Sequence, residues 1–203
     1  MVNLCVIASG RGSNFKAIME HIQSGYLSNV RPTLLISDKE TAPALRIAQN
    51  YGLETLFVDP RAFSDPDAYD SSLAEEIQEK DVDLIALAGY MRIVRKPLID
   101  RFQNRIINIH PALLPAFPGL HAQRQALEYG VRIAGCTVHF VDEGMDTGPI
   151  ILQAVVPVLQ DDTEETLSER ILKEEHRIYS EAIKLFSDNR LELKGRRVII
   201  KHG

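Results

Sequence analysis

Asn108 and His110 stand two apart in Arg105-Ile106-Ile107-Asn108-Ile109-His110-Pro111, and Asp146 stands in Gly144-Met145-Asp146-Thr147-Gly148-Pro149. The run before Pro111 is apolar and β-branched, so it reads as a buried strand. Residues two apart on a strand share a face, so the amide and the imidazole point the same way. Pro111 ends the strand and holds His110 extended. An amide donor beside an imidazole suits stabilising an oxyanion and moving a proton. Asp146 adds to this if the fold brings it to His110. There it would raise the imidazole's pKa and fix its orientation. The plain structural reading is that Asn108 and His110 are satisfied polar groups at a strand end, and that Asp142, Glu143 and Asp146 are solvated turn acids.

A second feature is Ser9-Gly10-Arg11-Gly12-Ser13-Asn14, between a strand pattern and a helix pattern. Its glycines let backbone approach an anion, and the following helix aims free amides at it. This suits a phosphate monoester. A dinucleotide loop wants a small residue where Phe15 stands, and a P-loop wants Gly-Lys-Ser/Thr. The rival reading is a tight turn with a good helix cap. Asp38, after the second strand, reads as a solvated strand-end acid.

In Leu87-Ala88-Gly89-Tyr90-Met91-Arg92-Ile93-Val94, a buried strand runs into an apolar segment with one arginine. Such a segment could offer backbone groups to a flat heterocycle. Taken alone, it reads more simply as core Met91 and Ile93 with an exposed Arg92. Pro111 to His121 holds three prolines and a glycine, a constrained loop that could shield a site from water or serve as a packed connector. His110, His121 and His139 match no common zinc spacing, so no metal is expected. No serine sits in a nucleophile elbow, and Cys5 lies within a strand. Glu175 and His176 read as an exposed helix face.

The elements that position these groups alternate. Strands are expected at 3–8, 33–37, 55–58, 83–88 and 106–109, with helices at 13–24, 42–51, 66–80 and 95–101 between them. Alternation of this kind predicts an α/β fold with a mostly parallel, doubly wound sheet and helices on both faces. Ligands of such sheets gather beyond the strands' carboxyl ends, where Gly10, Gly89, Asn108 and His110 fall. Residues 135–142 and 150–159 have no helix between them and predict an antiparallel extension. Thr163 opens a long helix to about 186, with Glu164 and Glu165 in its first turn. Residues 191–200 read as a hairpin turning at Lys194-Gly195.

The 203 residues suit one domain, 1–203, with a phosphate-binding half to about 105 and a catalytic half from about 106. Net charge is −5 with both signs scattered, which argues against a nucleic-acid face or a membrane-binding segment. Cys5 and Cys136 read as small buried hydrophobes in a reducing compartment. The start of the chain lacks the pattern of a signal peptide, and no apolar run approaches membrane-spanning length, so a cytoplasmic protein is expected.

In this order, Gly-x-Gly-Ser-Asn, Leu-Ala-Gly-Tyr-Met-Arg-Ile, Asn-Ile-His-Pro-x-Leu-Leu-Pro-x-Phe-Pro-Gly-Leu-His and Asp-x-Gly-Pro-Ile-Ile resemble the phosphoribosylglycinamide formyltransferase family. The resemblance covers nearly the whole chain. It implies formyl transfer from 10-formyltetrahydrofolate to the amine of glycinamide ribonucleotide in purine biosynthesis, without a metal. It implies catalytic Asn108, His110 and Asp146, and phosphate contacts from Gly12, Ser13, Asn14 and Lys173. It further implies a ribose contact from Glu175 and folate contacts from Met91, Arg92, Ile93, Val94, Asn108, Val141, Asp142 and Asp146. Small molecules are the implied partners, with no nucleic acid or membrane, and the chain as monomer or homodimer. The chain departs from the family at Pro66, where members often carry a folate-contacting arginine; Arg61 is the nearest arginine before it. It also has Gln123 where some members have histidine. Rival readings are a formyltetrahydrofolate deformylase, which lacks the phosphate loop, and a methionyl-tRNA formyltransferase, which needs a further domain and a basic surface. A third is a phosphometabolite-binding protein without turnover.

Overall fold

Continuous apolar runs make poor surface strands, and here they lie inside a sheet. The computed structural model describes residues 1–202. Strands β1 (Val2–Ile7), β2 (Val30–Ser37), β3 (Glu54–Phe57), β4 (Leu84–Leu87) and β5 (Ile106–His110) alternate with helices α1 (Ser13–Gln23), α2 (Pro43–Asn50), α3 (Pro66–Gln78) and α4 (Lys96–Arg101). These five strands run parallel in the order β3-β2-β1-β4-β5. Leu4 to Ile7 and Leu84 to Leu87 are buried without alternation, as expected of strands covered on both faces. Pro32 lacks an N–H, and the register between β1 and β2 slips beside it, after the Leu4–Pro32 pair. Helix α3 starts on Pro66, with the Asp65 carboxylate accepting the Ala68 amide at 2.8 Å.

The chain divides into two compact units, Met1–Asn108 and the part from Ile109 onward. In the second, α5 (Ala122–Tyr129) precedes the antiparallel pair β6 (Ile133–Phe140) and β7 (Ile150–Pro157). Both strands carry α6 (Glu164–Ser187), whose buried stripe includes Leu167, Ile171, Ile178, Ala182 and Leu185. Thr163 caps α6 in a reciprocal pair with Thr166. A separate hairpin, β8 (Leu191–Lys194) and β9 (Arg197–Ile200), follows. The strand order of the main sheet is β3-β2-β1-β4-β5-β6-β7. The fold is α/β with a mostly parallel sheet, as the alternation predicts.

Helix α5 is absent from the sequence expectations. Only Ala122 and Ala126 of its eight residues are buried, too thin a stripe to register as a helical period. Cys5 and Cys136 are buried and unbridged, and burial pushes both thiols up. Among the described residues no helix is long and apolar enough to cross a membrane.

Candidate active site

His110 is the last residue of β5 and is 4% exposed, while Asn108, two positions earlier, is half-buried. The strand period sets both on one side of β5. Asp146 comes from the turn joining β6 to β7, and its Oδ2 lies 3.4 Å from Nδ1 of His110. The other ring nitrogen, Nε2, lies 2.8 Å from the Phe117 carbonyl. A carbonyl oxygen only accepts, so Nε2 carries a proton there. A proton on Nδ1 as well would face the carboxylate, so the arrangement suits imidazolium. Burial opposes that charge and holds the His110 pKa below its ordinary value, against the upward pulls of the Phe117 carbonyl and Asp146. The sequence expectation weighed only the pull from Asp146; desolvation outweighs it.

Local geometry explains why the turn delivers Asp146. Asp142 gathers the turn by accepting Thr147 Oγ1 at 2.6 Å and the Gly144 amide at 3.1 Å, so it is an organiser and not a solvated turn acid. Gly148 is obligatory, because a Cβ there would lie 1.7 Å from the Phe140 carbonyl oxygen. Arg196, in the hairpin turn, donates to the Thr147 carbonyl at 2.7 Å. Burial raises the Asp146 pKa, but the neighbouring His139 ring, the Gly119 amide at 2.8 Å and the histidine charges outweigh it. The carboxyl therefore sits below its ordinary range.

The loop from Pro111 to His121 folds back over these groups. Phe117 and His121 take positive φ, at 53° and 59°. Buried Thr137 anchors the loop's start by donating to the Ala112 carbonyl at 2.7 Å and accepting the Leu114 amide at 3.1 Å. Gln153 donates to the Leu114 carbonyl and to Thr137 Oγ1, both at 3.0 Å. His139, 2% exposed, sits where the β6–β7 register slips, and its Nε2 is 3.7 Å from Asp146 Oδ1. Sequence reasoning missed Phe117, Thr137, His139 and Gln153 as site groups. The available signal was period: Thr137 and His139 share one face of β6. Exposed His121 lies at the start of α5. Among the described residues no cluster of three or more His, Cys, Asp or Glu side chains could hold a metal.

In the first unit, the loops after β1 and β4 and the residue Asn108 all lie at carboxyl ends of parallel strands, with Leu87 paired to Asn108. Gly12, at φ 77°, precedes α1, and no side chain caps this helix. The side-chain cap that a plain capped turn would need is missing, and a helix N-terminus without one suits an anion. Ser13 is half-buried and Asn14 is 8% exposed.

The segment after Gly89 reverses the plain reading. Met91 and Ile93 are 57% and 52% exposed, whereas Arg92 is half-buried with its guanidinium 5.1 Å from the Tyr69 ring centre. Val94 is buried. Arg92 also lines a cavity of about 440 Å³ with Asp38, Lys39, Phe57 and Arg61. Asp38 is half-buried there, with a buried Oδ1 that accepts no hydrogen bond, and is not the solvated acid expected. Arg61, the arginine nearest the departure at Pro66, is held by Asp59 in a forked pair at 2.8 and 2.9 Å.

On α6, Glu175 is buried, which corrects the exposed-face reading, and Lys173 is exposed. Two residues apart on a helix, they lie on different faces. Val141 is half-buried just past β6.

A formyl transferase family model matches residues 2–183. The chain is 42% identical over 184 residues to phosphoribosylglycinamide formyltransferase of Bacillus subtilis, covering 91% of this chain and 94% of that one. It is 43% identical over 181 residues, 89% of this chain, to the trifunctional purine biosynthetic protein adenosine-3 of Drosophila melanogaster, and spans 13% of that protein's length. The crystal structure of glycinamide ribonucleotide transformylase 1 from Symbiobacterium toebii superposes with a TM-score of 0.98 at 54% identity. That match covers 100% of this chain and 95% of the other. The chain belongs to the formyl transferase family.

Proposed function

We propose that this formyltransferase moves a formyl group from 10-formyltetrahydrofolate to the amine of glycinamide ribonucleotide, a step of purine biosynthesis. The observation that carries the reading is His110 held between the Phe117 carbonyl and Asp146, with Asn108 two residues before it. The substrate amine attacks the formyl carbon, and the carbonyl electron pair moves onto oxygen. Asn108 and protonated His110 donate hydrogen bonds to that oxyanion. Nε2–H of His110 now faces the Phe117 carbonyl, so to serve the oxyanion it must exchange that acceptor for it. Asp146 holds the ring's orientation and favours its charge. The oxyanion then collapses and the bond from carbon to the folate nitrogen breaks; the attacking nitrogen gives up a proton, which reaches the leaving folate nitrogen through His110 or water. The amine is the nucleophile, so no covalent enzyme intermediate and no metal is needed.

The phosphate is assigned to the amides of Gly12, Ser13 and Asn14, whose helix no side chain caps; Lys173, on a different face of α6 from Glu175, is left out of this site. Glu175 is assigned to the ribose hydroxyls. The folate is assigned to Met91, Arg92, Ile93, Val94, Val141 and Asp142, with exposed Met91 and Ile93 as its apolar platform. The test mixes purified protein and formyl-folate with ribonucleotide or with buffer, and follows folate release. Release that depends on ribonucleotide is expected. Equal release in buffer would make the protein a deformylase, and ribonucleotide binding without turnover would make it a binding protein.

A further inference from the structure

The segment assigned to folate is pinned at both ends by side chains that carry none of the chemistry. At one end, Ser9 Oγ accepts the Met91 amide at 3.1 Å, and the Ser9 amide donates to the Gly89 carbonyl at 3.2 Å. At the other, Asp70 Oδ2 accepts the Arg95 amide at 2.5 Å. Asp70 is only 3% exposed, on a helix whose neighbouring side chains hold the same segment. Tyr69 lies under Arg92 and meets the Tyr90 hydroxyl at 3.4 Å, and Asp67 pairs with Arg95 at 3.8 Å. Between the pins, the amides of Arg92, Ile93 and Val94 donate to no protein group among the described residues. A carboxylate bonded to a backbone amide is stronger than a neutral acceptor, and a buried carboxylate is costly to keep. A helix needing only packing here would be served by an apolar side chain.

We infer that Asp70 is a positioning residue for the formyl donor: its bond to the Arg95 amide sets the backbone of residues 92–94 to face the donor's flat heterocycle. This rests on the formyl-folate reading above. Asp70 touches no substrate and acts through the loop. The glycine loop that takes the ribonucleotide phosphate is tied to Ser9, not to Asp70, so the two ligands respond differently.

The test uses the full chain with Asp70→Ala, Asp70→Ser and Asp70→Asn. Alanine removes the acceptor, and serine is too short to reach Arg95. Asparagine keeps an acceptor oxygen. Tetrahydrofolate affinity and ribonucleotide affinity are measured by calorimetry, and KM for the formyl donor is separated from kcat. Alanine and serine should raise the folate Kd and the donor KM about tenfold or more, the scale of losing one hydrogen bond to a charged group. Ribonucleotide affinity and kcat at saturating donor should stay within about twofold. Asparagine should restore most of the folate affinity. Wild-type donor KM in both shortened variants would overturn the inference, as would equal loss of both ligands or an asparagine variant as poor as alanine. A wild-type protein that binds no tetrahydrofolate refutes the functional reading itself, and this is seen before any variant is made.

Discussion

Asp146→Asn removes one negative charge while keeping the side chain's shape. The carboxylate lies 3.4 Å from His110 Nδ1, and an amide oxygen in its place can still accept the Gly119 amide, now at 2.8 Å. The loop therefore stays anchored, and the change is chiefly electrostatic. His110 already sits below its ordinary pKa because burial outweighs the two groups that favour its charge. Removing one of those groups lowers it further, by about 1–3 pH units for an opposite charge at this range. Each unit is a free-energy difference of about 1.4 kcal/mol and depletes imidazolium about tenfold above the pKa. If protonated His110 stabilises the oxyanion, turnover at pH 7 falls about 10–10³-fold, by the same arithmetic. The loss must be larger at pH 8 than at pH 5.5, since the variant's ring regains its proton in acid. Two measurements check this: kcat/KM between pH 5 and 9, and NMR titration of the ring protons, with the His110 signal assigned from its absence in His110→Ala. An unmoved or raised His110 midpoint would refute the reasoning. So would a loss of equal size at every pH, which would mean that Asp146 acts by geometry alone.

His110→Ala should lower kcat about 10²–10⁴-fold and Asn108→Ala about 10²–10³-fold, with ribonucleotide affinity retained in both by calorimetry. Gly12→Val should weaken ribonucleotide binding but also the fold, since its Cβ would lie 2.8 Å from Ala44 Cβ at φ 77°. Gly10→Ala is the cleaner probe: its Cβ meets nothing within 4 Å, so lost ribonucleotide affinity at unchanged Tm reports blocked backbone approach. Exhaustive chelation should leave full activity; a loss that added zinc restores would contradict the metal-free mechanism. Burial pushes the Asp70 carboxyl up to about 6 from an ordinary 3.8. Its folded pKa exceeds its unfolded one, so its contribution is full below pH 3.8 and lost as pH rises through about 6. Relative to Asp70→Asn, denaturant titrations should show wild type losing about 2–3 kcal/mol between pH 4 and 7, at about 1.4 kcal/mol per pKa unit.

Much of the architecture was legible because its signals are local. Buried parallel strands write themselves as unbroken apolar runs, and the helices between them repeat at 3.6 residues, so β1 to β5 and α1 to α4 fall within a few residues of expectation. Asn108 and His110 share a face by the period of a strand, and Gly12 marks the turn into α1 wherever the rest of the chain goes. The shortest helix faces escaped: α5 buries two alanines, too little to distinguish it from a loop.

The sequence by itself determined the residue types, the strand that carries two of them and the glycine loop that opens the first helix. Only the tertiary structure decided which of those groups meet. Asp146 reaches His110 because β6 and β7 pair antiparallel and Gly148 lets their turn close against Phe140, a contact that no spacing along the chain encodes. The Phe117 carbonyl takes His110 Nε2 because the proline-rich loop turns back through positive φ, and a backbone carbonyl leaves no mark in a sequence. Burial was likewise decided in three dimensions: Glu175 went inside, and Met91 and Ile93 stayed out. Hydropathy reports what a side chain prefers, whereas packing against distant elements settles which preference is met. The His110 pKa follows the same logic, since desolvation depends on everything folded around the ring and not on its neighbours in the chain.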